Sequence, residues 1–309
     1  MIYVRMGGRL GNLMFRYALA RKVQLQRNNE PLCFIYPKKE FTGKDGFKDS
    51  LKYFQVTKYE SRFTYRNIEF IKDATVLQKM LIFYWKLIRK FGLHHNIFIQ
   101  KLLNRFGVSY SLNDYVPINL SNNASNVFLN NYAMSKKYFL DIRNILLYEF
   151  TPKNPELPQN YDLYEKIRNT NSVSISIRRG DYLLPKNKNH NVCTLYYYNK
   201  SIKLIKEKLP NCHFFIFSDD IEWCKQNLHF EDTFSFESGT DPVWEKLRLM
   251  YSCKHFILSN STFAWWGQYL SRNENKIVIS PSRWFANNIK IDLIEPNWIL
   301  VEPGNDSLI

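Results

Sequence analysis

The chain has 309 residues, of which 45% are hydrophobic and 16% aromatic, and this length suits about two ordinary domains with sizeable cores. Its formal charge of +15 means that an anionic ligand, an anionic surface or a polyanionic partner must be considered. The five cysteines are scattered and form no CxxC pair, which argues against a zinc site or a disulfide framework and fits a reducing compartment. Because no basic segment followed by an apolar run opens the chain, we expect no secretory signal.

The N-terminal segment reads as a strand, a glycine-rich loop, a helix and a second strand. The strands are predicted at residues 2–5 and 31–36, and the helix at residues 13–27. The loop GGRLGN lacks the GxGxxG spacing, and no acidic residue follows the second strand as a dinucleotide fingerprint requires. The pattern therefore disfavours a dinucleotide-binding site.

Residues 76–91 carry apolar side chains at helical spacing, interrupted too often by Lys and Arg for a membrane span. Two interpretations stay open: a helix packed on the first domain, or a basic amphipathic helix that rests on anionic lipid. The apolar stripe comprises Leu77, Met80, Leu81, Tyr84, Leu87, Ile88 and Phe91.

The proline-rich stretch TPKNPELP at residues 151–158 is typical of a domain linker. We therefore predict two domains, at residues 1–152 and 153–309. In the second, strands are predicted at residues 173–177, 213–217, 256–258 and 276–279. Helices are predicted at residues 195–208 and 222–228, after Asp241-Pro242 and from about Phe263. This alternation indicates an α/β fold with a parallel sheet.

Three consecutive strands of the second domain end in polar clusters. The clusters are Arg178-Arg179-Gly180-Asp181, Ser218-Asp219-Asp220 and residues 259–262 (SNST). Carboxyl ends of parallel strands share one edge of a sheet, where α/β proteins bind ligands. The planar guanidinium of arginine can donate two parallel hydrogen bonds to a phosphate. Hydroxyl and N–H groups at the start of a helix favour a bound anion. A carboxylate can accept hydrogen bonds from the hydroxyls of ribose or from the N–H groups of guanine. The three clusters together fit a nucleoside diphosphate.

Period-two alternation places Ser176 and Arg178 on one face of the strand and Arg179 on the other. We therefore expect Arg178 to meet the ligand and Arg179 to hold the loop. A plainer interpretation also stands, in which Asp181 pairs with an arginine in a surface turn. Likewise, Ser218 or Asp219 would cap one helix and Ser261 with Thr262 the other.

Four segments carry a resemblance to a known family. They are residues 7–20 (GGRLGNLMFRYALA), 174–183 (SISIRRGDYL), 214–228 (FFIFSDDIEWCKQNL) and 255–270 (HFILSNSTFAWWGQYL), followed by KIVISPSRWF. The chain resembles the bacterial α-1,2-fucosyltransferases of glycosyltransferase family 11. The resemblance covers both ends and most of the second half, and it is weak between about residues 45 and 126.

The resemblance implies a GT-B architecture, with two Rossmann-like domains facing a cleft. Residues 1–152 would be the acceptor-side domain with a helical basic insertion, and residues 153–309 the nucleotide-sugar domain. It implies inverting transfer from GDP-β-L-fucose, with no obligatory metal, to a galactose-containing oligosaccharide or lipid-linked glycan of the cell surface. Apart from the resemblance, the expected location is the cytoplasm, and the lipid-binding interpretation of residues 76–91 would add peripheral contact with anionic lipid on the inner face of the plasma membrane.

On the family pattern, Arg178 would be the catalytic residue of this chain: it would bind the donor diphosphate and stabilise the leaving GDP. Arg9 and Asn12 in the glycine-rich loop would reach toward the donor across the cleft. The full set of expected donor-binding residues is Arg9, Asn12, Ser176, Arg179, Asp181, Ser218, Asp219, Asn260, Ser261 and Thr262.

One position departs from the family. Its commonest motif has histidine two residues before the first arginine, where this chain has Ser176. Serine is not a competent base near neutral pH, so a base cannot be assigned there. The alternatives are transfer of a related GDP-deoxysugar such as colitose, a non-catalytic nucleotide- or carbohydrate-binding protein, and a nucleic-acid binder. The last is disfavoured because the phosphate-competent groups lie at predicted sheet edges rather than in exposed basic patches.

Overall fold

The computed structural model describes residues 1–38, 41, 49–65, 70–92, 97–111, 115–121, 124–228, 233–287, 289 and 291–304. It divides the chain into two compact units, Met1–Glu149 and Phe150–Ile309. The boundary predicted after residue 152 lies close to this division. Each unit holds one parallel sheet with helices between its strands, which confirms the α/β class.

The sheet of the first unit has the strand order β3-β2-β1-β5-β4, and all its neighbours pair in parallel. The first strand lies as predicted, and the second is shifted by one residue. Its five strands are β1 (Ile2–Arg5), β2 (Leu32–Pro37), β3 (Tyr59–Thr64), β4 (Val108–Ser111) and β5 (Val127–Asn131).

The described helices of the first unit lie between these strands and after the last one. The first begins three residues earlier than predicted, at Leu10 within the glycine-rich segment GGRLGN. They are α1 (Leu10–Gln26), α2 (Val76–Arg89), α3 (Ile97–Arg105) and α4 (Arg143–Glu149), with 3-10 turns at Ser50–Tyr53, Lys136–Tyr138 and Leu140–Ile142.

Helix α2 packs on the first unit, but through a different stripe from the one the sequence suggested. It begins with a capping box between Thr75 and Gln78. Its buried side chains are Gln78, Ile82, Trp85 and Ile88, whereas most of the predicted stripe faces solvent. The helix is apolar on two sides, so periodicity alone could not decide which side the core would take.

The second unit has a six-stranded sheet of order β11-β10-β9-β6-β7-β8, again with parallel neighbours throughout. The four predicted strands are all present. The strands are β6 (Asn171–Ile177), β7 (Cys212–Ser218), β8 (Phe234–Phe236), β9 (His255–Ile257), β10 (Val278–Pro281) and β11 (Ile299–Val301).

The helices of the second unit include all those predicted for it. Short 3-10 turns occur at Pro158–Asn160, Gly180–Leu183 and Pro185–His190. The α-helices are α5 (Tyr161–Asn169), α6 (Leu195–Lys208), α7 (Ile221–Asn227), α8 (Val243–Ser252) and α9 (Thr262–Leu270).

The proline-rich stretch at residues 151–158, predicted as a domain linker, directly follows the division between the units and is held on the second unit. The Arg248 guanidinium of α8 donates to the carbonyl oxygens of Asn154 and Pro155, at 2.9 and 3.0 Å. The N–H of Leu157 donates to Glu245 Oε1 at 3.1 Å. The side chains of Arg248 and Glu245, both buried on α8, thus satisfy backbone carbonyl and N–H groups of the proline-rich stretch.

Strand β6 is the centre of the second unit and shows the predicted alternation. Val173, Ile175 and Ile177 lie in one core cluster with residues of α6 and α7. Ser174 and Ser176 project to the other face of the sheet and are also buried.

The chain turns from β6 to β7 and β8 on one side, and then places β9 on the other side of β6. This reversal of strand order is a topological switch point, the position where open α/β sheets bind ligands. In the first unit the corresponding reversal lies between β1 and β5. Among the helices of the described residues, none is long and apolar enough to cross a bilayer.

Candidate functional site

Strands β9, β6 and β7 are neighbours, so the three polar clusters predicted at strand ends lie at one sheet edge. Two contacts join them directly. Ser176 Oγ lies 3.0 Å from Ser259 Oγ, and the backbone N–H of Arg179 donates to Asp219 Oδ1 at 2.9 Å. The sheet therefore assembles the site from segments that are 40 and 83 residues apart in the chain.

The Arg178 guanidinium lies between two carboxylates and is 18% exposed. Its Nη1 is 2.9 Å from Asp219 Oδ2, and its Nη2 donates to Asp181 Oδ1. The guanidinium carbon also lies 5.3 Å from the centre of the Tyr182 ring. These bonds use two of the five N–H donors of a guanidinium, so its plane is oriented while other donors stay available for an anion.

The pairing of Asp181 with an arginine, one of the plainer interpretations, is therefore seen. It does not make the turn a simple surface feature, because Asp219 from the neighbouring strand holds the same guanidinium. Two arginines, Arg178 and Arg179, face three carboxylates, Asp181, Asp219 and Asp220. An incoming phosphate must therefore bind the remaining N–H groups or displace a carboxylate. Asp181 is the more exposed of the two partners of Arg178, 33% against 19% for Asp219.

Arg179 projects the other way and anchors the loop to α7. Its Nε donates to Asp220 Oδ2 at 3.2 Å, and its guanidinium carbon lies 3.6 Å from the centre of the Trp223 ring. Stacking on an indole together with an ion pair suits an arginine that holds structure. The arrangement fits the supporting role expected of Arg179.

Helix α7 is capped by Asp220, not by Ser218 or Asp219 as expected. Asp220 accepts from the Trp223 N–H at 3.4 Å, and Ser218 Oγ accepts from the Asp220 N–H at 3.0 Å. Asp219 is left to bond the Arg179 N–H and the Arg178 guanidinium. In this structure Asp219 therefore positions Arg178, and any bond from it to a nucleoside stays a prediction.

The position of Gly180, between the two arginines and Asp181, leaves no room for a side chain. A Cβ at this position would collide with Asp219 Oδ2. The carboxylate could turn away from a methyl group, but it would then lose its contacts with Arg178 and the Arg179 backbone. Glycine thus permits the close approach that orients Arg178.

The SNST segment at residues 259–262 contains side chains with different tasks. Ser261 caps α9 by accepting from the Phe263 N–H at 3.3 Å, and Thr262 is the first residue of that helix. Asn260 is buried, and its amide donates to the carbonyl oxygens of His190 and Trp284, at 2.7 and 2.8 Å. Asn260 therefore braces two loops, whereas Ser261 and Thr262 are half-buried at the helix start.

Ser176, the position that departs from the family, is 7% exposed and bonded to Ser259. Its carbonyl oxygen accepts from the Tyr198 hydroxyl at 2.9 Å. The side chain is thus part of a buried hydroxyl pair between β6 and the segment after β9. Neither hydroxyl is a base near neutral pH.

Two aromatic residues of the site were missed by sequence reasoning. The Tyr182 hydroxyl donates to the Asn260 carbonyl oxygen at 3.1 Å, and its ring centre is 5.4 Å from that of His190. Burial lowers the pKa of the His190 imidazole, which favours the neutral form of the ring. Tyr182 directly follows the arginine motif and could have been noticed. No sequence signal singles out His190, because its position depends on the path of the intervening loop.

Arg9 and Asn12 lie in the first unit, where the glycine-rich loop enters α1. The N–H groups of Asn12 and Leu13 donate to the Arg9 carbonyl oxygen, at 2.9 and 3.1 Å. Gly8 has a φ of +78°, and a Cβ there would collide with the Asn12 amide. The loop geometry therefore depends on glycine at this position. The approach of Arg9 and Asn12 to a donor stays a prediction.

We expect Gly8→Ala to destabilise the protein more than Gly92→Ala. Both glycines have positive φ, which costs an alanine about 1 to 2 kcal/mol. Gly92 has no described atom near its would-be Cβ, so it measures the backbone cost alone. Denaturant unfolding of both variants gives the difference, which reports the collision with Asn12. Equal losses of unfolding free energy would contradict a packed contact between Gly8 and Asn12.

Within the part of the chain that the structure describes, no group of three or more His, Cys, Asp or Glu side chains could hold a metal ion. All five cysteines are free thiols. The described site presents guanidinium groups, carboxylates, hydroxyls and a helix start.

Comparison with known proteins gives matches along most of the chain. The family model of Glycosyl transferase family 11 matches residues 1–302. An alpha-1,2-colitosyltransferase of Escherichia coli is 32% identical, over 97% of this chain and 99% of that protein. The O-antigen biosynthesis glycosyltransferase WbnK of E. coli is 28% identical, over 96% and 99%. Human galactoside alpha-(1,2)-fucosyltransferase 1 is 28% identical, over 32% of this chain and 28% of the human protein.

Proposed function

The chain belongs to glycosyltransferase family 11 and is a glycosyltransferase, and from this premise we propose that it transfers L-fucose from GDP-β-L-fucose to the 2-hydroxyl of a galactoside. The proposal includes inversion at the anomeric carbon, which gives an α-1,2 link. The observation that carries it is the Arg178 guanidinium, oriented by Asp181 and Asp219 at the switch point of a sheet within the matched region.

In the proposed reaction, the bond between fucose C1 and the β-phosphate oxygen breaks, and its electron pair leaves with GDP. The acceptor oxygen forms the new bond on the opposite face of C1, and its proton passes to solvent water. Negative charge therefore grows on the departing diphosphate. Arg178 would stabilise this charge, as a preorganised donor does where charge develops in a transition state. Asp219 would keep the guanidinium in place while the phosphate takes over the more exposed position of Asp181.

Ser261 and Thr262 support the same assignment. They lie at the start of α9, where N–H groups and the helix dipole favour an anion. The buried Ser176–Ser259 pair supplies no base for the acceptor proton. Because fucosyl transfer has strong oxocarbenium character, we propose that it depends mainly on stabilisation of the leaving group.

We also propose that no metal ion is required, as the family resemblance implies. A saturating concentration of EDTA should then leave the rate unchanged. Loss of activity in EDTA, recovered by adding a divalent cation, would contradict this part of the proposal.

A second donor is favoured by a specific observation. The relative at 32% identity is a colitosyltransferase, and colitose differs from fucose by one hydroxyl. The second candidate is therefore α-1,2 transfer of colitose from its GDP donor. For the acceptor we propose a galactose-containing oligosaccharide or lipid-linked glycan, because the similar E. coli protein WbnK is an O-antigen biosynthesis glycosyltransferase. The free cysteines are consistent with a cytoplasmic location.

The test measures GDP release from GDP-fucose and from GDP-colitose, each with lactose and a panel of β-galactosides. Mass spectrometry and NMR of the product would identify the sugar and its linkage. We expect turnover with a galactoside acceptor and little hydrolysis without one. Binding of GDP without turnover on any acceptor would contradict the proposed transferase activity and would favour a non-catalytic nucleotide- or carbohydrate-binding protein. Salt-sensitive RNA binding with no turnover would favour the nucleic-acid alternative.

A further inference from the structure

The first unit exposes a set of large apolar side chains along α2. Phe83 is 70% exposed and Met80 63% exposed, and Leu87 is also exposed. Isolated exposed apolar residues are common, but a contiguous set marks an interaction surface. We call this set the outer face, and its residues are Val76, Leu77, Met80, Phe83, Tyr84, Leu87 and Phe91.

Helix α3 extends the same side of the unit. The inner sides of both helices pack on one core cluster, through Ile82, Trp85 and Ile88 of α2 and Leu103 of α3. Their outer sides therefore point away from the same part of the sheet. On α3 the exposed apolar residues are Ile97, Phe98 and Leu102.

Every charged residue on these two helices is basic. From residue 74 to residue 113 the sequence contains no Asp or Glu. At 100° per residue, Lys79, Lys86 and Lys90 lie along one flank of the outer face. The basic residues of this region are Lys79, Lys86, Arg89, Lys90, Lys101 and Arg105.

We propose that the outer face binds the surface of a bilayer that contains anionic lipid. Aromatic and aliphatic side chains would enter the boundary between headgroups and acyl chains, while the flanking cations bind the anionic headgroups. Helix α2 has 14 residues and is too short to span a bilayer, so it would lie in the plane of the interface.

Charge decides between a membrane and a second copy of the chain. A symmetric dimer through the outer face would bring two sets of cations together without an acidic partner on these helices. An anionic lipid surface supplies the opposite charge over its whole area and needs no matching shape. This inference does not depend on the proposed reaction, since it rests on the first unit alone.

The test is co-sedimentation of the full chain with vesicles. One set is phosphatidylcholine alone, and the other contains equal parts of phosphatidylcholine and phosphatidylglycerol. We expect the protein to sediment with the anionic vesicles and not with the neutral ones, and added salt to weaken binding. Equal binding to both vesicle types would overturn the proposal.

Two variants separate the charge from the apolar contribution. Lys79→Glu/Lys90→Glu should lower the partition coefficient by at least about tenfold, because each cation near an anionic surface adds to the attraction. Lys166→Glu/Lys203→Glu is the matched control, with the same change of charge at exposed helical lysines of the second unit. The control should bind like the wild type, and an equal loss in both would overturn the assignment of lipid binding to the outer face.

Met80→Ser/Phe83→Ser should also abolish binding while leaving the far-UV circular dichroism and melting temperature unchanged, because neither side chain contributes to the core. Analytical ultracentrifugation tests whether a second copy of the chain, instead of a lipid surface, covers the outer face. A dimer that Phe83→Ser abolishes, without vesicle binding by the wild type, would overturn the proposal in favour of an interface between copies.

Discussion

Arg178→Lys is expected to lower kcat/KM by about 10²- to 10³-fold while the protein stays folded. The guanidinium bonds Asp219 Oδ2 at 2.9 Å and Asp181 while keeping other N–H donors for a phosphate. A lysine ammonium is a point charge on a flexible stem and cannot hold both carboxylates and a phosphate in one plane. Initial rates of GDP release, with thermal melting as the check on folding, would measure the effect.

The matched control is Arg168→Lys, in the same unit. Arg168 Nη2 also pairs with a carboxylate, that of Glu156, but its side chain is 59% exposed and it precedes β6, at the opposite end of that strand from Arg178. Exposed ion pairs contribute little, so this variant should retain wild-type rates. Near-wild-type activity in Arg178→Lys would refute the assigned role of Arg178.

Asn260→Asp is expected to lower the free energy of unfolding by about 3 to 5 kcal/mol, with a fall in melting temperature of about 10 °C. The side chain is 2% exposed, and its amide donates to the carbonyl oxygens of His190 and Trp284. A carboxylate of the same shape cannot donate, so two buried acceptors would face a buried anion. Calorimetry of both proteins would measure the loss.

The pH dependence of this variant gives a second check. Burial and the facing carbonyl groups would raise the pKa of the introduced carboxyl in the folded state above its unfolded value. The folded variant then binds more protons than the unfolded chain, so its stability falls as pH rises from about 4 through the raised pKa. The difference from wild type should therefore be smaller at acidic pH than at pH 7.

Asn171→Asp provides the control for the Asn260 variant. Its amide donates to the Pro210 carbonyl oxygen at 3.0 Å, but the residue is exposed, so water can replace that bond. We expect a change of less than about 1 kcal/mol. If Asn260→Asp instead raised the KM for the donor at unchanged stability, Asn260 would be a donor contact and not a brace.

Four of the six strands in the second unit's sheet were predicted from the sequence, but only β1 and β2 of the five in the first. Buried parallel strands such as β6 and β7 are short apolar runs that end in polar residues, and both properties are local. The polar clusters at three strand ends were visible for the same reason. The prolines at residues 151–158 predicted a linker close to the unit boundary, but the contacts of this stretch with Arg248 and Glu245 of α8 could not be predicted from the local sequence.

The sequence by itself determined the α/β alternation, the family, and the residue types placed at the strand ends, including the permanent charge of Arg178. Only the tertiary structure decided that β9 lies beside β6, that Asp219 holds Arg178, and which side of α2 meets the core. The physical reason is the distance along the chain over which each effect acts. Propensity and periodicity act between residues a few positions apart, but these pairings join segments tens of residues apart and depend on strand order.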